Sequence, residues 1–273
     1  MRLSIHSMKV LTKREVVSSL YGWGIYVAIF ISFIVSSFIL RNFLKGIKEN
    51  NIFISAYPLN FPLLVSVIII SLYLVIVSAI SISREREQGT LEVLFYGPVS
   101  SFSFLLGKYF TDMILYIIIC GFFAIYFFVV SVLTNLGFSL ALVKALFLSI
   151  FLASCVISFG LFISSLTGRV RSSIVWLVGI LLAFVGIWFL QNIFLSLPEE
   201  AFSSWMLYLR KALSVTYHII NWVSPFSYLS RGMEAIGIGS IKLFLINILY
   251  SVIYTVILLA LSIYILKIKG VRE

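Results

Sequence analysis

Few residues in this chain could carry chemistry, and those present are not arranged for catalysis. There are two histidines, His6 and His218, so no histidine-based metal cluster can assemble. Serines are common, but none lies in a Gly-x-Ser-x-Gly setting with a histidine nearby. Gly107-Lys108 comes closest to a phosphate-binding loop. Tyr109 follows it and the preceding glycine is Gly97, so backbone amides cannot cradle a phosphate there. Cys120 and Cys155 fall inside apolar stretches without metal-ligand spacing and read as packing residues. The residues therefore assign no catalytic, cofactor-binding or metal-binding role, and the chain is not expected to hydrolyse ATP by itself.

One segment does gather reactive-looking side chains, for contact and not for bond making. Ser83–Phe110 reads SREREQGTLEVLFYGPVSSFSFLLGKYF and holds three of the ten acidic residues, Glu85, Glu87 and Glu92. Gln88-Gly89 should close a preceding helix, because glycine readily takes the left-handed conformation. Thr90 is placed to cap a short helix over Leu91–Tyr96, Gly97-Pro98 to end it, and Ser100 or Ser101 to cap the next one. One or two helical turns would then lie across the mouth of a helical hairpin. They would expose Arg84, Glu85, Arg86, Glu87 and Glu92 beside Leu91, Leu94, Phe95 and Tyr96. Mixed charge around an aromatic and aliphatic centre suits protein docking. The plainer alternative is a solvated turn, but charges alternating in sign do little for membrane orientation.

The elements that position this loop follow from composition. The chain is 62% hydrophobic and 11% charged. A soluble domain is about 45–50% apolar and about 25% charged. A soluble enzyme, a disordered protein and a disulfide scaffold are excluded, and an all-α integral membrane fold is expected. Crossing about 30 Å of hydrocarbon takes roughly 20 apolar residues. Six stretches qualify: 20–40, 61–83, 113–133, 141–166, 174–194 and 243–266. They are apolar on all sides, unlike the alternating strands of a barrel. Residues 1–273 form one transmembrane domain, with residues 1–19 as a basic segment on the cytoplasmic face. No cleavable signal peptide is evident at its start.

The formal charge is +10, from 20 Lys+Arg and 10 Asp+Glu. Most basic residues flank apolar runs, so they set orientation and do not call for nucleic acid. With both termini cytoplasmic, the inner segments carry twelve Lys/Arg and the two short outer ones carry four. Lys108 and Asp112 bracket the inner end of the third span, and no other charge lies deep in a span. That argues against an ion-coupled carrier. The outer segment between spans five and six reads as two helices on or in the outer leaflet. Pro198 with Glu199 and Glu200 starts one, and Ser224-Pro225 starts the other. They would act as an outer gate, with Pro225, Phe226, Tyr228 and Arg231 in it, or as a structural lid.

The loop also resembles that of the ABC-2 type transporter permeases. The matching residues are Glu87, Gly89-Thr90-Leu91-Glu92, Pro98-Val99-Ser100 and Gly107-Lys108. Val223–Gly232, VSPFSYLSRG, resembles the family's motif before the last span, and the segment with Lys13, Arg14 and Glu15 resembles its inner-face helix. The resemblance covers essentially the whole chain. It implies the membrane-spanning permease of an ATP-binding cassette transporter, with an exporter as the expected direction. A second permease copy or a paralogue would pair with it in the cell membrane of a prokaryote. A separate ATP-binding subunit, carrying ATP and Mg, would dock on a coupling helix at Ser83–Pro98. Contacts from Lys13, Arg14 and Glu15 would lie on the same inner face. The alternative functions are an ATP-independent channel or ion-coupled carrier, and an integral-membrane enzyme. The substrate-binding residues are not legible.

Overall fold

A computed structural model describes residues 2–50, 58–96, 99–134, 137, 139–196 and 204–270. Ten helices follow one another: α1 (Arg2–Leu20), α2 (Trp23–Asn50), α3 (Asn60–Glu87), α4 (Thr90–Tyr96), α5 (Ser101–Thr134), α6 (Leu140–Leu166), α7 (Val170–Ser196), α8 (Ser204–Val223), α9 (Ser227–Ile238) and α10 (Ile241–Gly270). No strand occurs among the described residues. Among the described residues, six helices are long and apolar enough to cross a membrane: α2, α3, α5, α6, α7 and α10. These are the six expected spans.

Several boundaries differ from the sequence reading, and α2 runs ten residues past the expected end at Leu40, to Asn50. The first span begins at Trp23, not Leu20, because the chain turns at Tyr21-Gly22 between α1 and α2. The third begins at Ser101, twelve residues before Met113. The mixed polar stretch Ser103–Asp112 does not stand out as apolar, yet it continues the helix without a break. Lys108 and Asp112 are consequently buried within α5 instead of bracketing its end.

Local signals explain most of the ends. Ser100 Oγ accepts the Ser103 amide at 3.2 Å and starts α5, while Ser139 Oγ accepts the Leu142 amide at 3.3 Å and starts α6. Pro62 is tolerated in the first turn of α3, where an amide proton would lack an intrahelical partner. Gly89, at φ +70°, stops α3 in the left-handed conformation. Pro198, Glu199, Glu200, Gly97 and Pro98 lie outside the described residues, while α9 begins two residues beyond Pro225.

The core is built on α3 and α6, which pack together more extensively than any other pair. Their approach depends on small residues. A Cβ on Gly160 would lie 2.8 Å from both Ser78 Cβ and the Val75 carbonyl oxygen. Within lipid, burying apolar surface gives helices no drive to associate, so close packing and hydrogen bonds must hold them. Ser32 of α2 donates to the Ser66 carbonyl of α3 at 3.4 Å. Tyr109, Ser154 and Thr255 link α5, α6 and α10 through contacts of 2.7 and 3.0 Å. Cys120 and Cys155 are buried free thiols, as packing residues should be.

Candidate functional site

The helix α4 sits at the end of the bundle where α3 finishes and α5 starts, and its footing is unusually polar. Lys108 of α5 is the hub. Its Nζ lies 2.5 Å from Glu85 Oε1 of α3 and 2.5 Å from Glu15 Oε1 of α1. One ammonium thus joins three helices. Thr12 of α1 adds a hydrogen bond to the Gly107 carbonyl at 3.3 Å, and a Cβ on Gly107 would already lie 3.6 Å from Leu11 Cβ. A little deeper, Ser78 Oγ donates to Asp112 Oδ2 at 2.5 Å, tying α3 to α5 again. Charges this far from water need such partners, since an isolated buried ion is costly.

The same end of α3 is also fastened to the turn between α6 and α7. Arg86 Nη1 donates to the Thr167 carbonyl at 2.9 Å, and Glu87 Oε2 accepts the Val170 amide at 2.9 Å. Glu87 thereby serves the first turn of α7, where a negative charge meets unpaired amides and the positive end of the helix dipole. Ser164 Oγ of α6 accepts the amides of Ile82 and Ser83 at 3.1 and 3.0 Å. The end of α3 is therefore held by α1, α5, α6 and the start of α7.

These placements revise the loop's expected division of labour. Glu85 and Arg86 were expected on an exposed face, but both are half-buried and engaged within the bundle, while Glu87 is exposed as expected and also accepts the Val170 amide. Leu91 was expected there too, and it is 2% exposed, packed beneath α4. Thr90 does not cap the short helix. Its Oγ1 donates to the Glu85 carbonyl at 3.1 Å and binds the turn back to α3. Leu94 and Phe95 are half-buried, with the Phe95 ring 5.9 Å from that of Phe104. Exposed in this stretch are Arg84, Glu87, Gln88, Gly89, Thr90, Glu92, Val93 and Tyr96, with Val93 at 71% and Tyr96 at 92%. Val93 was missed in the sequence. Its three-residue spacing from Tyr96 places the two on one helix face, which is the signal that could have found it. On α1, Lys13 and Arg14 are exposed and Glu15 is taken up by Lys108.

At the opposite end, the residues expected in a gate form an elbow between α8 and α9. The Arg231 guanidinium stacks 4.7 Å from the Trp222 ring and 5.1 Å from the Tyr228 ring, and also donates to the Asn221 carbonyl. Tyr228 Oη donates to the Trp222 carbonyl at 3.0 Å, and Asn247 of α10 donates to the Tyr228 carbonyl at 2.7 Å. Burial raises the Tyr228 phenol above its ordinary value, and the Arg231 charge pulls the other way. Pro225 is buried in the turn.

Phe226 faces a cavity of about 440 Å3 between α3, α7, α8 and α9. Leu72, Phe184, Val185 and Trp188 give it apolar walls, and Asn221, Ser224, Ser227 and Ser230 give it a polar side. No Asp, Glu, His, Lys or Arg lines it among the described residues. Sequence reasoning did not find this space, because its walls come from four helices far apart in the chain. Such a cavity can accept an uncharged, largely apolar body. No group of three or more metal-binding side chains occurs among the described residues.

The arrangement offers an exposed helix face at one end, a firmly braced pair of helices behind it, and an apolar space toward the other end. Compared with known families, the chain matches the one described as ABC-2 family transporter protein over residues 48–264. No curated protein matches it.

Proposed function

Because this chain belongs to the ABC-2 family of transporter proteins, and so is a multi-pass membrane subunit of an ABC transporter, we propose that it works as an exporting permease. In this reading residues 1–273 act as one permease domain in a prokaryotic cell membrane, with both termini on the cytoplasmic side. A separate ABC ATP-binding subunit, holding ATP and Mg, docks on α4. A second permease copy or a paralogue completes the pathway. The observation that carries the reading is the exposed face of α4, with Glu92, Val93, Tyr96 and the adjoining Arg84, set on a footing stapled to four other helices.

A push delivered to α4 by ATP-driven closure would enter α3 through the Thr90 contact to Glu85 and enter α5 through Lys108. Because α3 and α6 are locked by their small-residue contact, they would transmit that push as a rigid body. The middle of α3, at Ile68 and Leu72, lines the apolar cavity, so its tilt would reshape that space. The residues proposed for the outer gate, Pro225, Phe226, Tyr228 and Arg231, would move with the α8–α9 elbow. Lys13 and Arg14 of α1 stand ready to widen the inner-face contact.

The test is co-purification with a candidate ATPase subunit and measurement of ATP-driven transport in liposomes. Val93→Arg with Tyr96→Arg should abolish both complex formation and ATP-driven transport while leaving the permease folded. An intact complex with undiminished transport would remove α4 as the docking element. Glu87 and Glu85 are poor probes for this purpose, because replacing them also breaks bonds inside the bundle.

A further inference from the structure

The cavity behind Phe226 holds more unspent hydrogen-bonding capacity than its apolar walls suggest. Among the described residues, the Ser224 and Ser227 hydroxyls and the Asn221 side-chain amide line it without a hydrogen-bond partner in the protein, and the Tyr217 hydroxyl has none either. Ser224 is only 6% exposed, so its hydroxyl is held inside the fold beside open space. Ser230 differs, because its Oγ donates to the Ser227 carbonyl at 3.0 Å. Tyr217, Asn221 and Ser224 follow one another at helical spacing, which sets them on one side of the space.

The depth of these groups is set by helix geometry. Leu72 and Phe184 on the apolar walls stand twelve residues from Asn60 and Ser196, the ends of α3 and α7 away from α4. At about 1.5 Å per residue that is about 18 Å, against roughly 30 Å of bilayer hydrocarbon. In a six-span chain the cavity therefore lies within the hydrocarbon layer. Lipid tails cannot bond to hydroxyl and amide groups there, and leaving them unpaired is costly. Arg231 is engaged by the Trp222 and Tyr228 rings and the Asn221 backbone carbonyl, and it does not line the space.

We propose that this cavity binds an uncharged amphiphile, whose hydroxyl, ester or amide head meets Asn221, Ser224 and Ser227 and whose hydrocarbon lies against Leu72, Phe184 and Trp188. Its volume of about 440 Å3 falls in the range of sites for drug-sized molecules. A wholly apolar molecule would leave the polar side unpaired, and an ion would find no counter-charge. Water alone would leave the apolar walls wet. The site binds whether or not the chain transports, so its test reads binding and not transport.

The probe is a monoacylglycerol with a photoactivatable diazirine in its acyl chain, added to the full-length protein in phosphatidylcholine nanodiscs and mapped by mass spectrometry. Saturable labelling within residues 181–188 or 217–230 is expected, competed by unlabelled monoacylglycerol. An alkyl sulfate carrying the same chain should label there about tenfold less, because the cavity offers its charge no partner. Asn221→Leu with Ser224→Ala should lower monoacylglycerol labelling about tenfold, the loss of two hydrogen bonds. The backbone carbonyls at these positions keep their bonds from Arg231 and the Ser227 amide. Val185→Trp keeps the polar groups but fills the space, and should also expel the probe. Val185 is 62% exposed, so this variant decides the matter even if the double variant misfolds. Unchanged labelling in either folded variant overturns the proposal. Equal or stronger labelling by the sulfate overturns it in favour of an anionic ligand drawn to Arg231. Absence of saturable labelling at the cavity overturns it in favour of water.

Discussion

Helices α6 and α7 are neighbours in sequence, each 27 residues long and equally hydropathic, yet they live in different surroundings. In the apolar stretch of α6, 72% of residues are buried, against 11% in that of α7. Hydropathy does not separate them, but residue size does. The buried run of α6 includes Ser149, Ala153, Cys155, Ser158, Gly160 and Ser164, small side chains that let neighbouring helices approach or hydrogen bond to them. In α7, bulky Trp176, Val178, Leu182 and Phe189 point outward. A Cβ added to either of its glycines, Gly179 or Gly186, would meet nothing within 4 Å. In a bilayer apolarity gets a helix into the membrane, and small or hydrogen-bonding side chains decide whether it enters the core.

The sharpest way to break this contrast is one substitution on each helix. Gly160→Leu should destabilise the protein by about 3 kcal/mol or more, because the backbone of α3 cannot yield. Gly186→Leu should cost less than about 0.5 kcal/mol. Size-exclusion profiles after stepwise heating in detergent would compare the two. If both variants behave alike, the division into core and periphery fails.

Next in size is the charge hub at the foot of α4. Lys108→Met leaves Glu15 and Glu85 without their cation and should cost about 3 kcal/mol. Adding Glu15→Gln and Glu85→Gln should recover most of that loss, measured the same way. A recovery would show that stranded charge, not lost packing, is the damage. Smaller still is Ser164→Ala on α6, which removes the acceptor for two amides of α3 and should cost about 1 kcal/mol. Val185→Ala on α7 should change stability by no more than about 0.5 kcal/mol. Any larger effect on ATP-driven transport than on stability would mark that face as functional.

The six spans, the short helix α4 and the pair α8 and α9 could all be read from the chain, because apolar length and turn residues are local properties. Gly89 and Ser100 announced their ends for the same reason. The wiring beneath α4 was not legible. Glu85 looked like a surface charge because nothing in the sequence says that Lys108, 23 residues later, will fold back to meet it. Arg86 and Glu87 likewise find partners near Thr167 and Val170, at separations of 81 and 83 residues. Leu91 and Val93 are both apolar and two residues apart. Which one faces inward depends on the azimuth of a seven-residue helix, which is fixed by its neighbours and not by its own pattern. The cavity behind Phe226 is a space between helices, and composition records only the helices.

The two native thiols bear on how such questions can be followed in time. Cys120 and Cys155 are both enclosed between helices, the second donating to the Ser251 carbonyl at 3.3 Å. Thiol-directed dyes or spin labels should find them slowly in the folded state. A cysteine introduced at Tyr96 or Val185 would then react against a quiet background, without a cysteine-free variant being made first. Paired labels at those two positions would act as a molecular ruler between the exposed face of α4 and the peripheral helix.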